Sequence, residues 1–431
     1  MTLKGEFSPP GDKSVSHRVV LMSLLADGKV EVENLSRCTD VKSSMAAAAE
    51  LGAKISQNGD LYLIEGTGDE LSRSAYLDCG NSGTTIRLLC GILAGAPGRF
   101  VLDGDDSLRR RPMERVAEPL RAMGAVIRCR YGKCPVEVSG ATLRGTSLEL
   151  SVPSAQVKSA VLLAACRGFG PTSIVQTVET RDHTERLLEL MGSRVLKSGQ
   201  TMMVGPSRLR LPARVRVPGD PSSAAFFLCG AAMVPGSEIT ARGVMLNPTR
   251  NGFLEVMRRM GADLKVARDD SGHEPEGSVT VRYTPRLKGC RVRSEEIPGM
   301  VDEIPILALL ASTARGETVF QGVGELRVKE SDRLSMIQRQ LGRLNAGVSV
   351  EGDDLVVRGP SRLRYGRTLD SGGDHRIAMT LRMASLLTKG QPEIQGEDSV
   401  NVSYPGFHRH LEMLRGRSTS REMAGQGACI G

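Results

Sequence analysis

Residues 9–18 read Pro-Pro-Gly-Asp-Lys-Ser-Val-Ser-His-Arg, and an apolar run over residues 19–26 follows at once. A Pro-Gly turn, a small polar residue and a periodic apolar segment predict a loop that enters the N-terminus of a helix. Unpaired backbone N–H groups and the helix dipole favour an anion at such an end. Lys13, Ser14 and Arg18 are suited to bind that anion, and a solvated basic helix start is the alternative for this stretch alone.

The same kind of opening turn recurs along the chain, so that the turn and the apolar helix after it occur six times, at intervals of about 70 residues. The six turns lie at Gly11, Gly80, Pro153, Gly219, Gly299 and Gly373. We expect C-terminal caps for these helices at Gly28, Gly95, Gly168, Gly236, Gly316 and Gly390. The second helices end at Leu51-Gly52, Met123-Gly124, Met191-Gly192, Met260-Gly261, Leu344-Asn345 and, in the sixth unit, between Leu414 and Gly416. Landmarks in phase over the whole chain predict a sixfold structural repeat.

Each unit contains two helices and at least three strands, which is enough for a layer of its own. We therefore predict two domains of three units each. The opening helices are apolar nearly all round, so we expect them to be buried, with their polar N-termini converging on a shared space. The helix dipole disfavours cations at such ends, so the cations found there imply an anion between them. These cations are Lys13, Arg18, Lys158 and Arg376.

The composition limits the possible functions. The chain has 431 residues, a formal net charge of +8, no tryptophan, 8 phenylalanines and 6 tyrosines. Because aromatic stacking platforms are scarce, binding of single-stranded nucleic acid is poorly supported. The densest basic cluster, residues 109–111, is bounded by Asp105, Asp106 and Glu114, which favours a local pocket over a broad basic patch.

The cysteines and histidines argue against a structural metal site. The 9 cysteines are scattered without a Cys-x-x-Cys pair, and the 6 histidines have no metal-ligand spacing, so we expect reduced core thiols. The sequence has no signal-peptide pattern and no apolar run of membrane-spanning length, so we expect a cytoplasmic protein, with an organelle matrix as the alternative. Residues 417–431 are rich in Ser, Gly and Arg without periodicity, and we expect a disordered tail there.

Six stretches of the chain together resemble the EPSP synthase (3-phosphoshikimate 1-carboxyvinyltransferase) family. They are residues 10–18, 80–84, 111–113, 154–156, 327–333 and 374–376. The resemblance covers nearly the whole chain in order, and the first and fifth stretches are the most specific. The Gly-Asp-Lys-Ser-x-Ser-His-Arg form of the first and the Ser-Ala-Gln of the fourth are similar to the class II branch of the family.

The resemblance implies an α/β protein with the two-domain enolpyruvyl transferase fold. That fold has six βαβαββ repeats, three per domain, arranged as an inside-out α/β barrel, and its domains close like jaws on the substrates. The resemblance also implies that the chain crosses between the domains twice. The first strand, within residues 1–10, then belongs with residues 219–416 in the C-terminal domain, and residues 11–218 form the N-terminal domain.

The resemblance also implies candidate site residues. Those that match shikimate 3-phosphate contacts are Ser14, Arg18, Ser154, Gln156, Asp302 and Lys329. Those that match the phosphoenolpyruvate side are Lys13, Asn81, Gly83, Arg111, Gln156, Glu330, Arg333 and Arg376. Ala155 lies between two of these contacts, and Arg181 matches a further phosphate-binding loop. For catalysis we assign Asp302 to the hydroxyl proton, Glu330 to the methylene carbon and Lys13 to the bridge between hydroxyl and phosphate.

The implied reaction moves the enolpyruvyl group of phosphoenolpyruvate to the 5-hydroxyl of shikimate 3-phosphate and releases phosphate. We expect no metal and no cofactor, because arginines and helix N-termini supply the electrostatic stabilisation. We further expect a monomer with no nucleic-acid or membrane partner. We also expect glyphosate-type inhibitors to bind the protein. One departure is Val402, which stands where many family members carry a lysine that contacts phosphoenolpyruvate.

Three alternatives remain open from the sequence. The nearest is UDP-N-acetylglucosamine enolpyruvyl transferase, which shares the fold, but its usual reactive cysteine is absent from the matching loop, residues 105–115. A nucleic-acid end-processing enzyme would need an NTP site. A non-catalytic binding protein would not need Asp302 and Glu330 in one pocket. The sequence favours the EPSP synthase reaction over all three.

Overall fold

The computed structural model describes residues 2–68, 70–150, 152–364, 368–390 and 392–416. Within these ranges the α-helices are α1 (Lys13–Met22), α2 (Thr39–Glu50), α3 (Gly83–Ala94), α4 (Asp106–Arg110), α5 (Glu114–Ala122), α6 (Ala155–Ala165), α7 (His183–Leu190), α8 (Pro221–Met233), α9 (Gly252–Arg259), α10 (Ile304–Thr313), α11 (Arg333–Arg343), α12 (His375–Ala384) and α13 (Phe407–Leu414).

The β-strands surround these helices. The strands of residues 4–149 are β1 (Lys4–Phe7), β2 (Ala26–Asp27), β3 (Lys29–Glu33), β4 (Lys54–Asn58), β5 (Leu61–Glu65), β6 (Ser74–Asp78), β7 (Arg99–Asp103), β8 (Val126–Arg130), β9 (Lys133–Ser139) and β10 (Ser147–Glu149). Those that follow are β11 (Thr172–Val175), β12 (Val195–Ser198), β13 (Thr201–Val204), β14 (Leu209–Arg210), β15 (Arg214–Arg216), β16 (Glu238–Met245), β17 (Asp263–Asp269), β18 (Glu276–Arg282), β19 (Arg291–Val292), β20 (Gly316–Phe320), β21 (Gly347–Glu351), β22 (Asp354–Gly359), β23 (Leu369–Asp370) and β24 (Ile394–Gln395).

Each four-stranded sheet combines a parallel edge strand with an antiparallel hairpin. In the second unit β6 pairs in parallel with β7, which pairs antiparallel with β9 of the hairpin β8–β9. The third and fifth units repeat this order as β10-β11-β13-β12 and β19-β20-β22-β21. Strands such as β3 alternate buried and exposed residues because helices cover only one face of each sheet. This is the βαβαββ unit predicted from the sequence.

The first and fourth units exchange their first strands. β1 precedes α1 in sequence but pairs in parallel with β16 in the C-terminal half. β15 precedes α8 but pairs in parallel with β3 in the N-terminal half. The two crossing segments lie side by side, since the Asp12 N–H donates to the Pro218 carbonyl at 2.7 Å and the Asp220 N–H donates to the Pro10 carbonyl at 2.8 Å.

The buried apolar residues form two separate cores. One is built from residues between 15 and 217 with Met245, and the other from Leu3, Phe7 and residues between 224 and 414. The first strand therefore contributes its apolar side chains to the C-terminal core. On this basis we propose the domain division predicted from the sequence, with residues 1–10 and 219–416 in one domain and residues 11–218 in the other.

The opening helices lie at the centre of each half, as predicted. α3 contacts α1 and α6 in the N-terminal half, and α8, α10 and α12 contact one another in the C-terminal half. Nearly all of their residues are buried. Helices that are apolar on every face must be covered all round, so the sheets lie outside them. The result is the inside-out α/β arrangement of two three-unit domains.

The sixth unit is shorter than the others. It consists of β23, α12, β24 and α13, and the described residues after 368 contain no closing hairpin. The predicted disordered tail, residues 417–431, lies outside the described residues. In the described part of the chain no helix is long and apolar enough to cross a membrane.

Left-handed residues follow the second helix of every unit, as predicted. The glycines at these positions have positive φ, and Asn345 takes the same conformation at φ 66°. The prediction that a glycine caps the C-terminus of each opening helix was wrong except at Gly95. The other five end several residues before their glycines, at Met22, Ala165, Met233, Thr313 and Ala384. Glycines such as Gly28 and Gly390, at φ 100° and 92°, instead supply the left-handed turn into the next strand.

Candidate active site

The six opening turns converge on one cavity between the two halves. Its volume is about 280 Å³, and residues from or beside the start of all six opening helices line it. Five of these helices begin there because a side-chain oxygen accepts a hydrogen bond from a backbone N–H of the first turn. The capping residues are Asp12, Ser82, Ser154, Asp220 and Asp374. The positive ends of the helix dipoles therefore face one space, which favours anionic ligands.

Most residues predicted for the site line this cavity. They are Lys13, Ser14, Arg18, Arg111, Ser154, Ala155, Gln156, Arg181, Asp302, Lys329, Glu330 and Arg376. The other three predicted residues lie directly behind the lining. Asn81 accepts a hydrogen bond from Arg111, and a Cβ at Gly83 would lie 3.2 Å from Arg111 Nη1. Arg333 contacts both Asp302 and Glu330.

Arg18 is held in place at the N-terminal side of the cavity. Its Nε donates to Thr184 Oγ1 at 2.7 Å, its Nη2 donates to Ser159 Oγ at 2.8 Å, and its Nη1 donates to the Ser14 carbonyl at 3.0 Å. Burial lowers the pKa of Arg18 to about 10, so the guanidinium is still charged at neutral pH. Its three acceptors are neutral, and a fixed cation with neutral partners is suited to an anion in the cavity.

Gln156 is oriented by two neighbours at the same end. Its Oε1 accepts from Arg87 Nη1 at 2.6 Å, and its Nε2 donates to Thr84 Oγ1 at 2.9 Å. Burial, and then the charges of Arg111 and Arg115, lower the pKa of Arg87 to about 10. Arginines crowded in this way are relieved when an anion binds between them.

Lys13 forms an ion pair with Asp40, which begins the neighbouring helix α2. Both side chains are mostly buried, at 18% and 7% exposure. Burial disfavours the ammonium ion, but the surrounding groups, with the Asp40 carboxylate the strongest of them, outweigh burial and raise the pKa of Lys13. Lys13 is therefore a protonated hydrogen-bond donor at neutral pH.

Asp302 lies among arginines from both halves. Arg181 Nη2, from the N-terminal half, is 2.6 Å from Asp302 Oδ2. Arg333 Nη1 and Arg376 Nε, from the C-terminal half, are 3.4 Å and 3.5 Å from Asp302 Oδ1. Burial opposes ionisation, but Arg376, Arg181 and Arg250 together hold the pKa of Asp302 well below its usual range. Asp302 is therefore a carboxylate in the free protein.

Glu330 is held by Arg333, whose Nη2 lies 2.5 Å from Glu330 Oε2. Arg111 Nη1 approaches Glu330 Oε1 from the opposite half at 3.8 Å. Burial opposes ionisation here too, but Arg333 and Arg111 hold the pKa of Glu330 well below its usual range. His375 lines the cavity nearby, and burial, Lys13 and Arg376 lower its pKa to about 4, so its imidazole is neutral at pH 7.

A second buried polar group joins the two halves. Potential metal-ligand atoms of Asp182, His183 and Glu274 all lie within 4.8 Å of one another. Asn247 Nδ2 donates to Asp182 Oδ1 at 2.6 Å and to Glu274 Oε2 at 2.8 Å, and His183 Nδ1 lies 2.7 Å from Glu274 Oε1. These hydrogen bonds explain why the side chains meet.

One cation predicted to face an anion does not do so. Lys158 Nζ lies 2.6 Å from Glu185 Oε1, and both side chains are only 1% exposed. The cation at this helix start therefore has an internal partner, and the inference of an anion beside Lys158 was wrong. Glu185 comes from α7, so sequence spacing gave no sign of the pair.

Several residues of the cavity were missed in the sequence. They are Arg87, Arg115, Arg250, Glu325 and His375. Arg87 and His375 belong to opening-turn motifs, so their position alone could have indicated them. Glu325 and Arg250 lie outside every opening turn, and only the fold brings them to the cavity. Val402, at the end of the 3-10 helix Glu397–Val402, is not part of the lining.

The fold and the site define a class of protein, a two-domain α/β enzyme with a cavity between its halves that is lined by helix N-termini, arginines and carboxylates. A family model described as EPSP synthase (3-phosphoshikimate 1-carboxyvinyltransferase) matches residues 1–411. The chain belongs to the EPSP synthase family.

Individual relatives agree over nearly their whole length. The 3-phosphoshikimate 1-carboxyvinyltransferase of Gloeobacter violaceus is 47% identical over 421 residues, covering 96% of this chain and 97% of the relative. That of Roseiflexus castenholzii is 45% identical over 422 residues, with the same coverage of 96% and 97%. The solved structure of EPSP synthase from Acinetobacter baumannii is 37% identical, has a TM-score of 0.84 and covers 96% of each chain.

Proposed function

We infer that this chain is a 3-phosphoshikimate 1-carboxyvinyltransferase. It transfers the enolpyruvyl group of phosphoenolpyruvate to the 5-hydroxyl of shikimate 3-phosphate, a step of aromatic amino acid biosynthesis. The observation that carries the mechanism is the cavity between the halves, where helix N-termini and arginines surround the carboxylates of Asp302 and Glu330. The rival acceptor, UDP-N-acetylglucosamine, is not favoured, because the relatives matched over nearly full length are 3-phosphoshikimate 1-carboxyvinyltransferases.

We assign the shikimate 3-phosphate end of the cleft to a set of hydrogen-bonding groups and cations. They are Ser14, Arg18, Ser154, Ala155, Gln156, Arg181, Asp302 and Lys329. The fixed guanidinium of Arg18 and the capping hydroxyl of Ser154 support a phosphate here, because both line the cavity and Ser154 caps the N-terminus of α6. Asp302 is the acceptor in this set and suits the 5-hydroxyl.

We assign the phosphoenolpyruvate end to Lys13, Asn81, Gly83, Arg111, Gln156, Glu330, Arg333 and Arg376. Arg111 and Arg376 present cations from opposite halves, which supports binding of a ligand with both a carboxylate and a phosphate. Asn81 orients Arg111 by accepting a hydrogen bond from it. These cations supply the positive charge that many family members obtain from a lysine at the position of Val402.

The reaction has two steps in this assignment. In the addition, Asp302 removes the 5-hydroxyl proton as the oxygen bonds to C2 of phosphoenolpyruvate, and protonated Glu330 gives a proton to C3, which becomes a methyl group. In the elimination, the bond between C2 and the phosphate oxygen breaks, Glu330 takes a proton back from the methyl group, and Asp302 gives up the hydroxyl proton, which leaves with the phosphate. Both carboxyl groups thereby return to their starting states. Lys13 donates hydrogen bonds to the attacking oxygen and the departing phosphate, which stabilises the developing charge.

The electrostatics couple binding to chemistry. In the free protein the arginines hold the pKa values of Asp302 and Glu330 low. Asp302 is then a weak base, and Glu330 is ionised and has no proton to donate. Two multiply anionic substrates bind the same arginines and reduce their net positive field. Both carboxyl pKa values then rise, because an anion nearby disfavours a second negative charge. Substrate binding thereby makes Asp302 a stronger base and lets Glu330 take up a proton.

Four finer statements belong to the same proposal. The motif forms at residues 11–18 and 154–156 support the class II branch of the family. Glyphosate-type inhibitors bind at the phosphoenolpyruvate end of the cleft. A monomeric state stays a prediction from the sequence. A cytoplasmic location stays a prediction from the sequence.

A phosphate-release assay tests the function. Purified protein is given phosphoenolpyruvate with shikimate 3-phosphate, with UDP-N-acetylglucosamine, or with no acceptor. We expect phosphate only with shikimate 3-phosphate, and loss of turnover in Asp302→Asn but not in Glu295→Gln, a control carboxylate that is 51% exposed on the 3-10 helix Ser294–Gly299. Phosphate release with UDP-N-acetylglucosamine as acceptor, and not with shikimate 3-phosphate, would overturn the assignment.

A further inference from the structure

Two ion pairs cross the cleft side by side and join the same two segments, residues 111–115 and residues 325–330. Arg115 Nη1 lies 2.9 Å from Glu325 Oε1, and Arg111 Nη1 lies 3.8 Å from Glu330 Oε1. The arginines belong to the N-terminal half, and the carboxylates belong to the 3-10 helix Gly324–Val328 and the residues after it. Arg111 and Glu330 have roles in the proposed reaction. Arg115 and Glu325 have none, although both line the cavity.

The charges around Arg115 require a counter-ion from the opposite half. Burial and the charges of Arg111 and Arg115 lower the pKa of Arg87 to about 10, which reflects three guanidinium groups held close together. Glu325 and Glu330 are the carboxylates that face this excess from across the cleft, and Glu325 is the one beside Arg115. Burial raises the pKa of Glu325, but Lys329 and Arg115 help hold that pKa below the usual range. The side chains of Arg115 and Glu325 are 18% and 43% exposed, so the pair lies where the cavity meets solvent.

Glu325 has a second partner within its own half. Lys329 Nζ lies 3.5 Å from the same Oε1 atom that pairs with Arg115. Lys329 lines the cavity and is one of the proposed shikimate 3-phosphate contacts. A single carboxylate oxygen therefore contacts both the opposite half and a substrate-binding lysine.

Substrates compete with two other ion pairs across the cleft. Arg181 and Arg111 are held by Asp302 and Glu330 in the free protein, and bound anions draw on both arginines. Those two contacts between the halves therefore weaken as the site fills. The contact between Arg115 and Glu325 involves no proposed substrate group and persists.

We propose that Arg115 and Glu325 form a positioning pair that holds the two halves together over bound substrates and keeps Lys329 directed into the cavity. This inference rests on the proposed function, because the role of Lys329 comes from it. The pair acts on substrate affinity through closure and leaves the proton transfers to other residues. Its loss should therefore change KM more than kcat.

A double-mutant cycle tests the pair by steady-state kinetics. The variants are Arg115→Met, Glu325→Gln and the double variant, with Arg115→Lys as the conservative replacement. Glu114→Gln is the matched control, because Glu114 lies beside Arg115 on α5 but pairs with Arg121 in the same half. Each variant is assayed for kcat and for both KM values at low and high salt, with its thermal unfolding recorded.

We expect Arg115→Met to raise both KM values by about threefold to fivefold at low salt, as for a partly exposed ion pair, with kcat within about twofold. Glu325→Gln should raise the KM for shikimate 3-phosphate further, because Lys329 also loses its partner. The KM values of the double variant should equal those of Glu325→Gln, because removal of Arg115 has no further effect once its partner is gone. Arg115→Lys should recover part of the loss, high salt should shrink every difference, and Glu114→Gln should equal wild type.

Two results would overturn the proposal. One is unchanged KM values in both single variants, and the other is a KM increase in the double variant that equals the product of the two single increases. If Arg115→Met does not fold, Arg115→Lys with Glu325→Gln carries the same comparison. A wild-type protein that released no phosphate would refute the proposed function instead. The pair would then be judged by small-angle scattering of the ligand-free proteins at low salt, where the double variant should have the larger radius of gyration and an equal radius would contradict closure by this contact.

Discussion

Arg181 on the N-terminal half lies 2.6 Å from Asp302 on the C-terminal half, so a proposed phosphate contact and the proposed base neutralise each other in the free protein. An ion pair across the cleft therefore occupies a place that the proposed substrate anions would take. Each proposed catalytic carboxylate has an arginine of the opposite half beside it, since Glu330 faces Arg111 in the same way. Binding must exchange one set of anions for another.

Replacement of Arg181 by methionine should raise the pKa of Asp302 in the free protein. The guanidinium favours the charged carboxylate, so its removal favours the neutral form, and the acid limb of kcat/KM should move to higher pH than in wild type. The KM for shikimate 3-phosphate should rise as well. Both proteins are measured with the same substrates from about pH 8 down to the lowest pH at which both stay folded, so that substrate ionisation cancels. An acid limb at the wild-type position would show that Asp302 does not govern it.

Lys13→Met should nearly abolish turnover, and it should also destabilise the fold. Asp40 is only 7% exposed and would lose its cation, which costs about 1–3 kcal/mol of the free energy of unfolding. The double variant Lys13→Met/Asp40→Asn should recover most of that stability and none of the activity. Urea unfolding and phosphate release on the same preparations separate the two effects. Activity that returned with stability would mean that Lys13 supports the fold alone.

Gly83→Ala should weaken inhibition by glyphosate-type compounds more than it weakens phosphoenolpyruvate binding. An added Cβ would lie 2.8 Å from Arg87 Nη1 and 3.2 Å from Arg111 Nη1, so both guanidinium groups must shift. The ends of long side chains can shift, so the fold should tolerate the change. The inhibitor is longer than the substrate, and one methyl group discriminates by about 1–3 kcal/mol. Equal factors in the inhibition constant and in the KM for phosphoenolpyruvate would count against this explanation.

His17 should make the protein less stable in mild acid. Burial, and then Lys13, lower its pKa from 6.5 to about 3, and its Nδ1 lies 2.7 Å from Ser44 Oγ. Between these two pKa values the unfolded chain binds a proton that the folded chain does not, so stability falls as pH falls, by up to about 1.4 kcal/mol per pH unit. His17→Gln should flatten the pH dependence of the free energy of unfolding between about pH 6 and 4. Identical slopes in urea titrations of the two proteins would refute the assignment.

The repeat could be predicted from the sequence because its signals are local. An apolar helix and a left-handed residue after the second helix, such as Asn345, are each determined within one unit. The exchange of first strands was different in kind. The residues gave no sign of it, the family resemblance implied only the move of β1, and the reciprocal pairing of β15 with β3 was not predicted. Pairing between strands so far apart in the chain depends on the whole topology.

The site was predictable to the extent that it lies at helix starts. Lys13, Arg18 and Arg376 line the cavity because opening turns converge there. Lys158 had the same signal but is paired with Glu185, and a partner on another helix cannot be read from spacing. Glu325 was missed for the converse reason, because it lies in a 3-10 helix outside any opening turn and meets Arg115 only across the cleft.

The central claim is that Glu330 protonates the methylene carbon of phosphoenolpyruvate during reversible addition. Turnover of phosphoenolpyruvate with shikimate 3-phosphate in deuterium oxide, followed by mass spectrometry of the product, tests it directly. A transient methyl group that gains deuterium and then loses a proton retains the label, so we predict deuterium at the vinyl methylene of the product, and very slow formation of labelled product in Glu330→Gln. Product formed by the wild-type protein without deuterium would contradict addition and elimination in this site.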